Sequence, residues 1–187
     1  MDASAMSTLR KAIREAVAES PDETLPLPDN PNPASPSPFL PIIKDVVRTH
    51  PSDAPRVAAD CVILHLRSKD SEERLGAMLV ADVLFRRSQA FRSCLVPSME
   101  VIISNATGCK QENPLPPPKK YAKKLPGISV KILEAWAESF GQKYKPLALA
   151  WTFVKTKMKL HAPSREEVSA QRALERREAE LQRRVRE

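Results

Sequence analysis

The chain is predicted to be all-α, and three observations carry that prediction. Only 4 of its 187 residues are glycine against 18 prolines, too few flexible positions for a sandwich, a barrel or a glycine-rich nucleotide fold. From residue 39 onward apolar residues recur every three or four positions, and no stretch alternates with the period of two that a strand requires. Both tryptophans, Trp136 and Trp151, fall on such helical stripes. A tryptophan buries roughly 150–250 Å², so the pair marks a packed helical hairpin, and both are expected in the core.

The elements follow in order. Leu9, Ala12, Ile13, Ala16 and Val17 share one face of a short amphipathic helix at 6–17, with Arg10, Lys11 and Arg14 on its other side. Residues 20–38 are rich in Pro, Asn, Asp and Ser, a linker composition in which no structured element is expected. The first helix is therefore tethered, and three destinations stay open for it: the domain, a partner, or neither. A short helix at 39–48 ends before Pro51 and Pro55. The next, at 56–67, is expected to turn Val57, Cys61 and Leu64 toward the interior, with His65 as a further candidate for that face.

Asp70 and Glu73 have N-cap and N3 spacing, marking the start of the helix Ser71–Arg87. That helix is apolar nearly all round (Leu75, Met78, Leu79, Val80, Val83, Leu84, Phe85) and so belongs at the centre, covered on both sides. Asp82 interrupts it, with Arg86 at i+4 as its natural partner, and Gly76 permits a close helix crossing. Residues 88–106 form a further helix with Phe91, Leu95, Ile102 and Ile103 as core, kinked or broken at Pro97. A loop at 107–118 ends in the stiff run Pro116-Pro117-Pro118. The helix at 121–140 carries Val130, Leu133, Trp136 or Ala137, and Phe140 at helical spacing, and Gly141 stands where a left-handed C-cap is expected. Pro146 opens the last helix of the domain, at 146–160, where Tyr144, Leu147, Trp151, Val154 and Met158 form one apolar stripe. Residues 165–187 are mostly charged, with pairs such as Glu180 and Arg184, and read as a solvated helix or the start of a coiled coil. That helix stops in mid-pattern, so the chain is expected to be part of a longer protein. The reading is of about seven helices in three parts: an amphipathic helix and Pro-rich linker at 1–38, a helical domain at 39–162, and a charged helix at 163–187.

Trp136, Phe140, Tyr144 and Leu147 together resemble the closing helices of VHS/ENTH superhelical domains. Leu84-Phe85-Arg86-Arg87-Ser88-Gln89-Ala90-Phe91-Arg92 and Pro114-Leu115-Pro116-Pro117-Pro118 narrow the match. They resemble the VHS-like N-terminal domain of the UV-stimulated scaffold protein A family, over about residues 39–162. The resemblance implies a right-handed α-helical superhelix. It further implies a non-enzymatic scaffold of transcription-coupled nucleotide-excision repair in the nucleus, on chromatin. Such a scaffold acts at RNA polymerase II stalled on a UV lesion and docks the Cockayne syndrome A ubiquitin-ligase receptor. Recruitment of TFIIH and contact with a deubiquitinase are implied for regions beyond this chain.

The residues themselves point away from catalysis. His50, His65 and His161 are scattered, and Cys61, Cys94 and Cys109 show no Cys-x-x-Cys spacing, so neither a metal nor a cofactor is expected. Cys61 and Cys94 read as small core residues, in keeping with a reducing compartment. No Gly-x-x-x-x-Gly-Lys loop and no Gly-x-Ser-x-Gly occurs, and the adjacent acids Glu72-Glu73 and Glu166-Glu167 stand at helix starts, where carboxylates favour the dipole. No positively charged stretch precedes an apolar run and no apolar run approaches about 18 residues, so neither secretion nor a membrane span is expected.

What remains is binding. The net charge of +7 and a pI near 9.5 favour acidic partners. Lys119, Lys120, Lys123 and Lys124 follow the Pro-rich turn, and no acid occurs between Ser139 and Arg165, where Lys155 and Lys159 lie. Lys120 with Lys124, and Lys155 with Lys159, are i,i+4 pairs on shared helix faces, and point charges on flexible stems suit contact with a DNA backbone. Arg86, Arg87 and Arg92 bracket the end of the central helix, either as structural partners of Asp82 and of helix-end carbonyls or as a protein interface. The competing reading on the same fold is a trafficking adaptor that binds ubiquitin or phosphoinositide membranes, with the helix at 6–17 in the interface. That helix has no large aromatic anchor, and a linker separates it from the domain.

Overall fold

The computed structural model describes residues 1–109 and 114–161, the side chains as far as Met158. Among them nine α-helices and one 3-10 turn occur, and no strand. Residues Met1–Val154 form one unit; the part from Lys155 onward is a second. The charged helix expected at 163–187 lies outside the described residues.

The centre is α5 (Ser71–Arg87), in which every residue from Arg74 to Phe85 is buried. It packs against α1 (Ala3–Ala18), α2 (Pro21–Thr24), α4 (Ala54–Leu66), α6 (Gln89–Leu95), α7 (Met99–Ala106) and α8 (Lys119–Phe140), which is why its sequence shows no polar face. Asp70 caps it, its Oδ1 accepting from the N–H groups of Glu72 at 2.7 Å and Glu73 at 3.3 Å. Glu73 does not complete a capping box. Its carboxylate turns to α4 instead, with Oε1 2.5 Å from His65 Nδ1 and the Ser68 hydroxyl donating to Oε2. The guanidinium of Arg74 is buried and donates to the carbonyls of Ser68 (2.7 Å) and Asn105 (2.9 Å), tying the start of α5 to the end of α7.

The first helix takes the first of its open destinations. Leu9, Ala12, Ile13, Ala16 and Val17 are buried, and α1 packs on α3 (Phe39–Thr49), α4 and α5. Gly76 is the reason it fits. A Cβ there would stand 2.8 Å from the carbonyl oxygen and 2.9 Å from the Cα of Val17, so the backbones of α5 and α1 meet where only a hydrogen can lie between them.

Residues 20–38, expected to lack structure, carry a helical turn and backbone hydrogen bonds of their own. Pro21–Thr24 is one helical turn and Leu25 is buried. Leu27 and Asn30 exchange backbone hydrogen bonds at 2.9 and 3.1 Å, and the Ser37 N–H reaches back to the Thr24 carbonyl at 2.9 Å. The segment 1–38 is thus part of the same unit as the helices that follow it.

Four further expectations change. Leu64 is not inward-facing but 68% exposed, and Val57 and Cys61 are half-buried. The buried face of α4 is Ala54, Pro55, Ala58, Ala59, Val62 and Leu66, because α1, α5 and α6 crowd that side and small residues admit them. Pro55 does not break a helix but stands in the first turn of α4, where its missing N–H has no partner to lose. Gly141 is right-handed (φ −60°, ψ −33°), not left-handed; a Cβ would overlap the Ala137 carbonyl, so close approach is what selects glycine there. Trp136 is fully buried, but Trp151 is only half-buried on α9 (Lys145–His161), whose inward residues include Leu147, Ala150 and Val154, while Met158 is 40% exposed.

Pro97 produces a break: α6 and α7 are joined by the 3-10 turn Val96–Ser98, with Phe91, Leu95, Ile102 and Ile103 in the core as the spacing indicates. After the loop, the carbonyls of Pro116 and Pro117 accept from the Ser71 hydroxyl (2.5 Å) and N–H (2.8 Å), fastening the proline run to the start of α5.

Candidate functional site

The Leu84–Arg92 motif builds a corner between two helices. Ser88 closes α5, donating its N–H to the Leu84 carbonyl at 2.8 Å, and opens α6, its Oγ accepting from the Phe91 N–H at 3.1 Å. An extended backbone at this one residue (φ −117°, ψ 115°) turns the chain. A side chain that is both short and an acceptor suits such a position.

Inside the corner, Phe85 stacks on Trp136 with ring centroids 3.8 Å apart and planes 11° from parallel, and meets the edge of Phe140 at 5.7 Å. The Trp136 indole N–H donates to Asp82 Oδ1 at 2.7 Å. Arg86 Nε donates to both oxygens of the same carboxylate, at 2.8 and 3.0 Å, so Asp82 enters the core with its charge paired and its acceptors used. Arg92 lies over the Phe140 ring at 4.2 Å and donates from Nη1 to the Phe85 carbonyl at 2.6 Å, closing the end of α5.

Of the three arginines singled out from sequence, Arg86 and Arg92 therefore hold the corner together. Arg87 is exposed and lines a groove of about 700 Å³ between α3 and the α5–α6 corner. Its neighbours there include Lys44, Arg48, Val47 and Leu84. Burial, and then the positive charge of Arg87, push the Lys44 ammonium below its ordinary pKa. Arg48 is paired with Asp45 at 2.6 Å. An opening that holds Lys44 and Arg87 together beside aliphatic side chains favours an acidic side chain of a partner.

The lysine cluster divides in two. Lys120 and Lys124 do share a face of α8, but that face meets Asp22: Lys124 Nζ stands 2.5 Å and Lys120 Nζ 3.5 Å from Oδ2, and the Tyr121 hydroxyl donates to Oδ1 at 3.1 Å. Burial pushes the Asp22 carboxyl up, but the hydrogen bonds from Lys124 and Tyr121 and the two lysine charges outweigh it and hold the pKa below the ordinary value. Lys119 and Lys123 are exposed on the same two turns, with no partner among the described residues. Lys155 is exposed in the second unit, and the side chain of Lys159 lies outside the described ones.

Sequence reasoning missed Asp22, because it treated 20–38 by composition. The signal was present: Ser20, Pro21 and Glu23 stand at N-cap, N1 and N3 spacing, a helix start inside a linker. It also passed over Pro126, which lies inside α8 and withdraws one backbone N–H from it.

Among the described residues no group of His, Cys, Asp and Glu is placed to hold a metal ion, and no helix is long and apolar enough to cross a membrane. Compared with known proteins, residues 39–158 match the family model described as the UVSSA N-terminal domain. The UV-stimulated scaffold protein A homolog of Arabidopsis thaliana is 31% identical over 143 residues, which is 76% of this chain and 21% of that protein. UV-stimulated scaffold protein A of Mus musculus is 38% identical over 94 residues, 50% of this chain and 13% of its own length. That of Xenopus tropicalis is 34% identical over 125 residues, 66% of this chain and 16% of its own. The chain thus spans about a fifth or less of the length of these relatives.

Proposed function

The chain belongs to the UV-stimulated scaffold protein A family, and on that footing we propose that it is the VHS-like docking module of a non-enzymatic DNA-repair scaffold. It serves transcription-coupled excision repair in the nucleus, on chromatin, at RNA polymerase II stalled by a UV lesion. Its partner there is the Cockayne syndrome A ubiquitin-ligase receptor; TFIIH and a deubiquitinase are reached through parts of the scaffold beyond this chain.

The observation that carries this reading is the family match over residues 39–158, which runs through the α5–α6 corner and its groove. A helical unit whose core residues hold that corner rigid suits protein docking, since a preformed surface loses little freedom on association. Within the groove, Arg87 and Lys44 are the side chains that would meet an acidic partner. Lys119 and Lys123, with Lys155 and Lys159, are the residues proposed to touch a DNA backbone.

The test is a pull-down with residues 1–187 from UV-irradiated nuclear extract, beside binding to phosphoinositide liposomes. The first helix is retained in the bait because it packs in the core. Recovery of the receptor or of RNA polymerase II, lost with Arg87→Glu and without liposome binding, supports the reading. Liposome binding with no repair partner would transfer the chain to the trafficking adaptors.

A further inference from the structure

A second groove, of about 770 Å³, runs between α1 and α4, away from the Arg87 corner. Met6, Val57, Cys61 and Leu64 supply apolar lining, and Leu64 is the most exposed of them at 68%. Arg10, Lys11 and Arg14 of α1 also line it, with Asp60 as the acid contributed by α4. That acid is paired with Arg56 at 3.4 Å, and His65 is engaged with Glu73 at 2.5 Å. Arg14 shares Glu15 at 3.3 Å, Arg10 lies beside the Cys61 thiol, and Lys11 has no partner among the described residues. The groove is therefore apolar along its length and cationic along the α1 side.

We propose that this groove docks an amphipathic helix of a partner protein whose polar face is acidic. Charge complementarity selects the occupant: three basic side chains stand within two turns of α1, and the carboxylate opposite them is already paired. Size agrees with a helix, because the lining stretch of α1 from Ala3 to Arg14 is about 16 Å long, about three turns. An apolar strip of that length takes side chains at i, i+3, i+4 and i+7 of a docked helix. Nucleic acid fits less well, since a phosphate backbone has nothing to place against Leu64 and Val57 and, among the described residues, no Phe, Tyr or Trp lines the groove for base stacking. A flat bilayer surface does not enter a concave strip.

The experiment measures fluorescence anisotropy of a labelled peptide of about three turns, leucine on one face and glutamate elsewhere, against the 187-residue chain. Saturable binding is expected. Leu64→Asp should weaken it by roughly tenfold or more, as should the double change Arg10→Glu with Arg14→Glu, while Lys119→Glu with Lys123→Glu on α8 leaves it unchanged. A peptide with lysine in place of glutamate should not bind. All these side chains are exposed, so circular dichroism and melting should match the parent; Leu64→Ala serves as the milder variant should Leu64→Asp unfold. Absence of saturable binding, affinity unaltered by both groove variants, an equal loss from the α8 variant, or displacement of the peptide by duplex DNA or anionic vesicles would each overturn the proposal.

Discussion

Trp136 donates its indole N–H to Asp82 Oδ1 at 2.7 Å, and so the largest buried side chain of α8 is held to a carboxylate in the middle of α5. With Arg86 on the same carboxylate, the pair couples packing and charge at one point. Asp82→Ala leaves the indole N–H without its acceptor and should cost about 1.5–3 kcal/mol in urea unfolding. Trp136→Ala should cost about 3–5 kcal/mol. Trp151→Ala should cost about half as much, because that ring is only partly buried. Equal losses at the two tryptophans would contradict the packing described.

Gly76→Ala distinguishes a close crossing from an ordinary helical glycine. In an open helix the change would stabilise by about 1 kcal/mol. Here the new methyl meets the backbone of Val17, and the protein should lose stability, with amides of α1 exchanging faster with solvent. A raised melting temperature would show that α1 does not lie against α5.

Asp22→Asn tests what fastens the linker to α8. A carboxyl whose pKa is lower folded than unfolded contributes its full stabilisation above the unfolded value, about 3.9 for Asp, and loses it as pH falls through the folded value. Asp22 is of this kind, and Glu73, where burial is outweighed by hydrogen bonds from Ser68 and His65, has the same sign. The Asn variant should be about 1 kcal/mol less stable than the parent at neutral pH, and the difference should shrink below about pH 4. A difference that grows on acidification has the wrong sign for this linkage.

Lysine reversals on α8 should separate binding from folding. Lys119→Glu with Lys123→Glu should leave the melting temperature unchanged while weakening duplex DNA binding and flattening its salt dependence. Lys124→Glu should also destabilise, since it places a second carboxylate against Asp22. Unchanged DNA affinity at low salt in the double variant would end the proposed backbone contact.

The fold was legible where the pattern is local. The apolar circumference of Ser71–Arg87, the pairing of Asp82 with Arg86 at i+4, the Asp70 cap and the break at Pro97 all express geometry within one or two turns. The α4 face was misread because the larger residues Val57, Cys61 and Leu64 drew the stripe, whereas three neighbouring helices required the alanine side. The same error concealed a groove, since an exposed Leu64 in sequence looks like core. Arg86, Arg87 and Arg92 lie close together in sequence, but only packing separates the two that bind Asp82 and the Phe85 carbonyl from the one that faces solvent.

By itself, then, the sequence determined an all-helical chain, its central helix, its basic balance and the family motif at Leu84–Arg92. Tertiary structure decided that α1 is core, that Asp22 engages Lys120, Lys124 and Tyr121 about a hundred residues away, and which cations stay open to partners. The physical reason is range: periodicity and capping act over a few residues, whereas burial and ion pairing across the fold depend on which helices can approach closely enough, as Gly76 lets α1 approach α5.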